Sequence, residues 1–200
     1  MKRLASILLL IAVSAAAWAW TPRISYGLEW GYTGSPLKTH QYSYIYSAGS
    51  RITDNGAQWR YFSNGSLLAG AGLDVSSKVN LSLYSGLVGV YSERWMVPLE
   101  LRARWCPKGL TAGGPIAHAG AAAMFPTSSL LETAGRINVG GGWRCMVYKH
   151  ISIDLLLSLN ATLDHDILYD PDTRVPIMSS DIMRNYSEYW GVNFSLAINF

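Results

Sequence analysis

Asp164-His165-Asp166 sets an imidazole between two carboxylates, and it is the stretch of this sequence with the plainest chemistry. A histidine so flanked has its pKa raised and can act as a general base. On a strand, however, neighbouring side chains point to opposite faces, so only Asp164 and Asp166 share a side. A strand end running into a solvated loop is the expected reading, and no catalytic residue is assigned. The same carboxylates, with Asp170 and Asp172, supply hard oxygens of the kind calcium favours. They lack the EF-hand spacing, its central glycine and its terminal glutamate, and Asp170-Pro171-Asp172-Thr173 reads better as a turn. Gly140-Gly141-Gly142 and Gly113-Gly114 precede no strand-to-helix switch, so they are not phosphate cradles. Cys106 and Cys145, with no clustered histidines, make no zinc site. No metal and no cofactor is expected.

A second group of residues is aromatic. Tyr42, Tyr44 and Tyr46 alternate, Asp54-Asn55-Gly56 offers a hairpin turn, and Trp59 and Tyr61 follow two apart. The spacing predicts a hairpin with an aromatic face, a candidate recognition patch for glycan or protein. The competing reading is that these rings cap whatever lies beneath them.

The elements that carry both groups alternate with period 2 from Arg23 to the end, and no helical stripe interrupts them. Eight segments result: 23–33, 66–75, 80–91, 95–105, 114–125, 137–147, 151–164 and 186–200. In the last, Trp190, Val192, Phe194, Leu196, Ile198 and Phe200 share one face, and Gly191, Asn193, Ser195, Ala197 and Asn199 the other. Its length exceeds the five or six residues of an ordinary strand, whereas a tilted membrane-spanning strand needs about 9–11. Segment 80–91 breaks pattern at Val88 and Val90, which predicts a bulge. Long connections are expected at 34–64, 126–135 and 165–185 and a tight one at 92–94, all on one side, with short turns at 76–79, 106–113 and 148–150 on the other. Trp30, Tyr32, Tyr91, Trp95 and Tyr186 gather at one set of strand ends, and Trp105, Trp143 and Phe200 at the other. Two such belts mark lipid–water boundaries.

Composition agrees. Half the chain is hydrophobic and only 14% is charged, against about 25% in soluble domains. The opening MKRLASILLLIAVSAAAWAW has cations, a short apolar stretch and the small-x-small sequence Ala17-Trp18-Ala19, so residues 1–19 are expected to be a cleaved export signal. Without Lys2 and Arg3, 14 of the 16 cations remain against 13 anions, a balance that argues against nucleic acid. Strands in hydrocarbon must close, because lipid offers no partner to an open edge. The expected fold is therefore all-β, an eight-stranded antiparallel transmembrane barrel over residues 20–200. Its narrow interior would be filled by Glu29, Glu100, Arg102, Arg104, Arg144 and Asp154 as a charge network, with His118 inward and no open pore. Inward glycines (Gly27, Gly31, Gly70, Gly72, Gly140, Gly142) would make room for the arginines. Cys106 and Cys145 fall on opposite faces of the wall, so a disulfide is not expected.

The chain resembles the small eight-stranded outer-membrane barrels of Gram-negative bacteria, of the OmpA/OmpX and PorT-like type. The C-terminal residues carry the resemblance: Asn193 stands at the polar position of their insertion signal, Ile198 at the first apolar position and Phe200 at the terminal aromatic. Ser195 occupies the place usually held by glycine. The tyrosine-rich 34–64 segment and Glu29-Trp30-Gly31-Tyr32 look like uncharacterised barrels of Bacteroidetes. The resemblance implies insertion by the barrel-assembly machinery and outer-membrane lipids and lipopolysaccharide as neighbours. With it the expectation is a monomer with a structural or surface-binding role, through its loops, for a protein or glycan ligand. Some barrels of this size modify lipid A, which leaves an enzyme centred on His165 as the alternative.

Overall fold

A computed structural model describes residues 23–91, 94–128 and 132–200; the expected export signal, residues 1–19, lies outside them. Eight strands follow in order: β1 Ile24–Ile45, β2 Arg51–Asp74, β3 Val79–Tyr91, β4 Arg94–Trp105, β5 Gly114–Pro126, β6 Ala134–Tyr148, β7 Ile151–Asp164 and β8 Ile182–Asn199. Each pairs antiparallel with the next, and β1 closes on β8 from Gly27↔Asn199 upward, making a closed barrel. The period-2 pattern sorts the side chains. Leu101, Leu159 and Phe194 point outward and are 60%, 62% and 52% exposed, while Glu100, Asn160 and Asn193 beside them are buried within the ring. Rows of exposed Leu, Val, Ile and Trp encircle the molecule. In water such a surface would drive association; in hydrocarbon it is the solvated face, and closure of the ring leaves no strand edge open at that height. No helix among the described residues is long and apolar enough to cross a membrane.

The interior is filled in layers. Near the start of β1 and the end of β8, Arg144 grips Asp154 through Nε and Nη2, both at 2.8 Å, while Arg104 reaches the same carboxylate at 3.3 Å and donates to Asn199 at 2.7 Å. In the middle, Arg102 donates to Glu100 at 2.8 Å and to Glu29, and its guanidinium lies 4.6 Å over the ring of Tyr84. Toward the opposite end, the β3–β6 side is apolar, with Val90, Met96, Ala122, Met124 and Ala134 packed together. Gly27 and Gly70 clear space for Tyr84 rather than for an arginine directly: a Cβ on Gly70 would meet the Tyr84 ring at 2.6 Å.

Several expectations change. Residues 34–64 are not a loop; they are the distal halves of β1 and β2, paired from Gly34↔Ser63 to Ile45↔Arg51. Asp54-Asn55-Gly56 is not the turn, since Asn55 and Gly56 pair with Gln41 and His40 inside the ribbon. The chain reverses at 46–50, where Gly49 N–H donates to the Tyr46 carbonyl at 2.8 Å with φ +79°, a conformation that suits glycine. Val88 and Val90 both face inward with Tyr84, and the irregularity expected in this segment is confined to its end, where the β3–β4 register shifts between Gly89 and Tyr91. The Tyr91 side chain lies outside the described part of the structure.

A bulge that alternation did not foretell lies at Pro36. The register slips between Ser35 and Leu37 against β2, and between Gly34 and Leu37 against β8. Below it Glu29, Gly31, Thr33 and Ser35 are buried; above it His40 is buried, Lys38 and Tyr42 turn to the same interior side, and Ser43 is buried with Arg51 donating to its hydroxyl. The inward row changes parity, as an inserted residue requires.

Candidate functional site at the barrel mouth

The parity change brings Lys38 and Tyr42 over the end of β7, where Asp166 collects five donors. Lys38 Nζ lies 2.6 Å from Oδ2, Ser187 Oγ donates to Oδ2 at 2.6 Å, and Tyr42 Oη donates to the same oxygen. Tyr189 Oη donates to Oδ1 at 2.7 Å and Arg94 Nη1 to Oδ1 at 3.1 Å. Arg94 also lies 2.9 Å from Asp164 Oδ2 and donates to the His165 carbonyl at 3.0 Å. Two carboxylates thus meet two cations in a mouth where Asp166 is only 12% exposed. Burial alone would raise the Asp166 carboxyl, but hydrogen bonds from Lys38, Ser187 and Tyr42 hold it down to about 2. A carboxylate so saturated is a clasp, with no lone pair left over for a substrate proton.

The His165 imidazole takes no part in this cluster. It faces away from Asp164 and Asp166, its ring edge-on to Tyr186 at 5.6 Å between centroids and its Nδ1 3.6 Å from Glu132. The stretch therefore splits as strand geometry requires, two carboxylates inward and the imidazole outward. Asp170 holds the following turn: its carboxylate accepts the N–H groups of Asp172 at 2.8 Å and Thr173 at 3.0 Å, and that of Ser47 at 2.8 Å from the β1–β2 tip. These backbone donors lower its pKa well below the usual carboxylate range. No group of three or more His, Cys, Asp and Glu among the described residues is placed to hold a metal. Both cysteines are free, Cys106 buried and Cys145 exposed.

The five aromatic candidates do not form one face. Tyr42 is inside, on Asp166, and stacks on His40 at 4.7 Å. Trp59 and Tyr61 are outside, 80% and 64% exposed, while Tyr44 and Tyr46 sit half-buried near the tip. Glu29, Glu100, Arg102, Arg104, Arg144 and Asp154 all lie in the interior and pair with one another as described above. Two further interior groups escaped the sequence reading. Arg136 is buried, and Asn138 donates to Glu100 at 3.0 Å. Arg136 could have been found from its even-numbered place beside Asn138 and Arg144 on β6. Arg94 and Lys38 could not, because one stands at a strand start and the other beyond the bulge. In β8, Asn193 accepts from Thr33 at 3.0 Å, Ile198 pairs with Leu28 of β1, and Phe200 exchanges backbone hydrogen bonds with Tyr26.

No family model matches the sequence, and no curated protein does. Among solved structures, the chain is similar to outer membrane protein OprG from Pseudomonas aeruginosa, at 12% identity over 88% of this chain and 95% of that one, with a TM-score of 0.48. It is similar to Neisserial surface protein A (NspA) at 10% identity, covering 88% and 98%, TM-score 0.45. The outer membrane protease OmpT from Escherichia coli follows at 8% identity, covering 87% and 96%, TM-score 0.35.

Proposed function

We propose that this chain is a plugged outer-membrane barrel that binds an extended protein segment at the outer ribbon formed by β1, β2 and β8. One observation carries the reading. β2 pairs with β1 along its whole distal half but meets β3 only from Ser66 down, where Ser66 pairs with Val88. From Arg51 to Tyr61 its second edge therefore has no strand neighbour among the described residues, and nearly every residue there is exposed. Open edges are templates for strand addition, and proteins that do not use them blunt them with proline or clustered charge. This one carries no proline, and only Arg51, Asp54 and Arg60 are charged. Trp59 and Tyr61 add aromatic area beside it. The ribbon is braced for the task by the Asp166 clasp at its base and by Asp170 at its tip.

Amide exchange on the detergent-extracted protein tests the reading. Alternate amides of 51–61 should exchange freely in the isolated chain and slow when a strand-forming peptide selected from a display library is bound. Uniform protection of that edge in the isolated monomer would sink the proposal. So would undiminished peptide binding after residues 39–57 are excised from a barrel that still shifts on heating.

A further inference from the structure

The outward face of β8 changes character along its length. Phe194, Val192 and Trp190 are followed by Glu188, Tyr186 and Arg184, so the strand passes from apolar to polar at an exposed tryptophan. Two concavities meet at that point, and Glu188 lines both.

The lower one, about 410 Å³, is sunk into the lipid-facing wall. The register explains it. Ala121 pairs with Ile137 and Ala123 with Gly135, and these pair in turn with Ala161 and Leu163. Alanine and glycine thus form a floor between the taller Ile137, Leu163 and Trp190. A void facing hydrocarbon forfeits dispersion contacts, and at this depth a hydrocarbon chain is what fills it. The upper cleft, about 470 Å³, opens on the same face of the ribbon above Trp190. Its walls are Tyr186 with Gln41, Asn55, Thr39, Arg184 and Glu188, an aromatic ring beside planar donors and acceptors. Arg184 donates to Gln41 at 3.3 Å and Thr39 to Glu188 at 3.5 Å, so these groups are held in place yet keep unused hydrogen-bonding capacity. An aromatic face flanked by amides, a carboxylate and a guanidinium matches the stacked ring and hydroxyl fringe of a sugar. A carboxylate and a guanidinium of opposite sign favour a neutral headgroup over a phosphorylated one.

We infer that the two concavities form one site for a glycolipid of the surrounding leaflet, its acyl chain in the Ala121–Ala123–Gly135–Ala161 hollow and its neutral sugar headgroup against Tyr186 and Glu188. Glu188 sits where ester and glycosidic oxygens give way to hydroxyls. The inference rests on the membrane placement proposed above but not on the strand-binding edge, which lies on β2.

The full chain, inserted into phosphatidylcholine nanodiscs doped with digalactosyl diacylglycerol, provides the test, with co-purifying lipid counted by native mass spectrometry. The glycolipid should be retained above its share of the bilayer. A Cβ on Gly135 meets nothing within 4 Å, so Gly135→Leu fills the hollow without disturbing the fold and should abolish retention of either lipid. Tyr186→Ala and Glu188→Gln should keep a bound lipid but erase the preference for the sugar. Retention of both lipids in proportion to the bilayer, or wild-type retention by Gly135→Leu, overturns the site. Binding of free digalactose in place of the retained lipid, counted in the same spectra, would show a sugar site without a chain site and would overturn it too. A chain that fails to enter the disc overturns the membrane reading and this site together, whereas loss of peptide binding at β2 touches neither.

Discussion

Asp166 is the residue on which the mouth turns. Its carboxyl, buried yet held near 2 by Lys38, Ser187 and Tyr42, titrates below the value of about 3.9 expected in an unfolded chain. A depressed pKa contributes stability that is full above the unfolded value and disappears as pH falls through the folded one. The clasp should therefore be intact at neutral pH, weaken below about pH 4 and be lost near pH 2, a contribution on the order of 2 kcal/mol. Amide exchange of residues 38–42 and 187–189 across that range measures it, and pH-independent protection would contradict the assignment. Asp166→Asn leaves Lys38 and Arg94 with Asp164 alone. Breaking a buried pair this way costs about 3 kcal/mol, so the same amides should exchange roughly a hundredfold faster at neutral pH. Deeper in the barrel, a side chain at position 70 must displace the Tyr84 ring that carries Arg102. Gly70→Val should lower the temperature at which the folded band shifts in electrophoresis, by overpacking worth about 1–3 kcal/mol; an unchanged midpoint would show the ring free to move.

At the scale of elements, the bulge at Pro36 decides which residues of the ribbon face inward. Deleting Pro36 removes the extra residue and leaves Ser35, Leu37 and Lys38 in plain alternation, so Lys38, His40 and Tyr42 keep their inward side. Lys38, 12% exposed in the native mouth, should stay protected from a water-soluble amine-acylating reagent. If it becomes reactive, the extra residue at Pro36 does not set the parity. The same element shows where reading the chain stopped. In β4 and β8 one face meets lipid and the other a packed interior, so the contrast between alternate residues is strong. Above Pro36 both faces of the ribbon meet water or polar side chains, and Thr39-His40-Gln41 opposite Asn55-Gly56-Ala57 offers no contrast to read. Strand was hidden there because its signal is a difference between two environments, and the environments are alike. For the same reason Asp54-Asn55-Gly56 passed for a turn: its local preference is real, and pairing with β1 overrides it.

For the whole molecule, the filled interior predicts electrical silence. Arg102 crosses from Glu100 to Glu29 at mid-height, and the apolar cluster of Val90, Met96 and Met124 closes part of the far end. Purified protein in a planar bilayer should show no conductance steps, and a regular open level would contradict a plugged barrel. Period 2, the charge deficit and the two aromatic belts by themselves determined a closed eight-stranded wall with its polar face inward, because alternation is a local property and hydrocarbon forbids an open edge. Register and parity belong to pairs of strands, and no single strand records them. Only the tertiary structure could therefore decide that Lys38 and Tyr42 reach Asp166, and that alanines of β5 and β7 meet Gly135 of β6 in one hollow beneath Glu188.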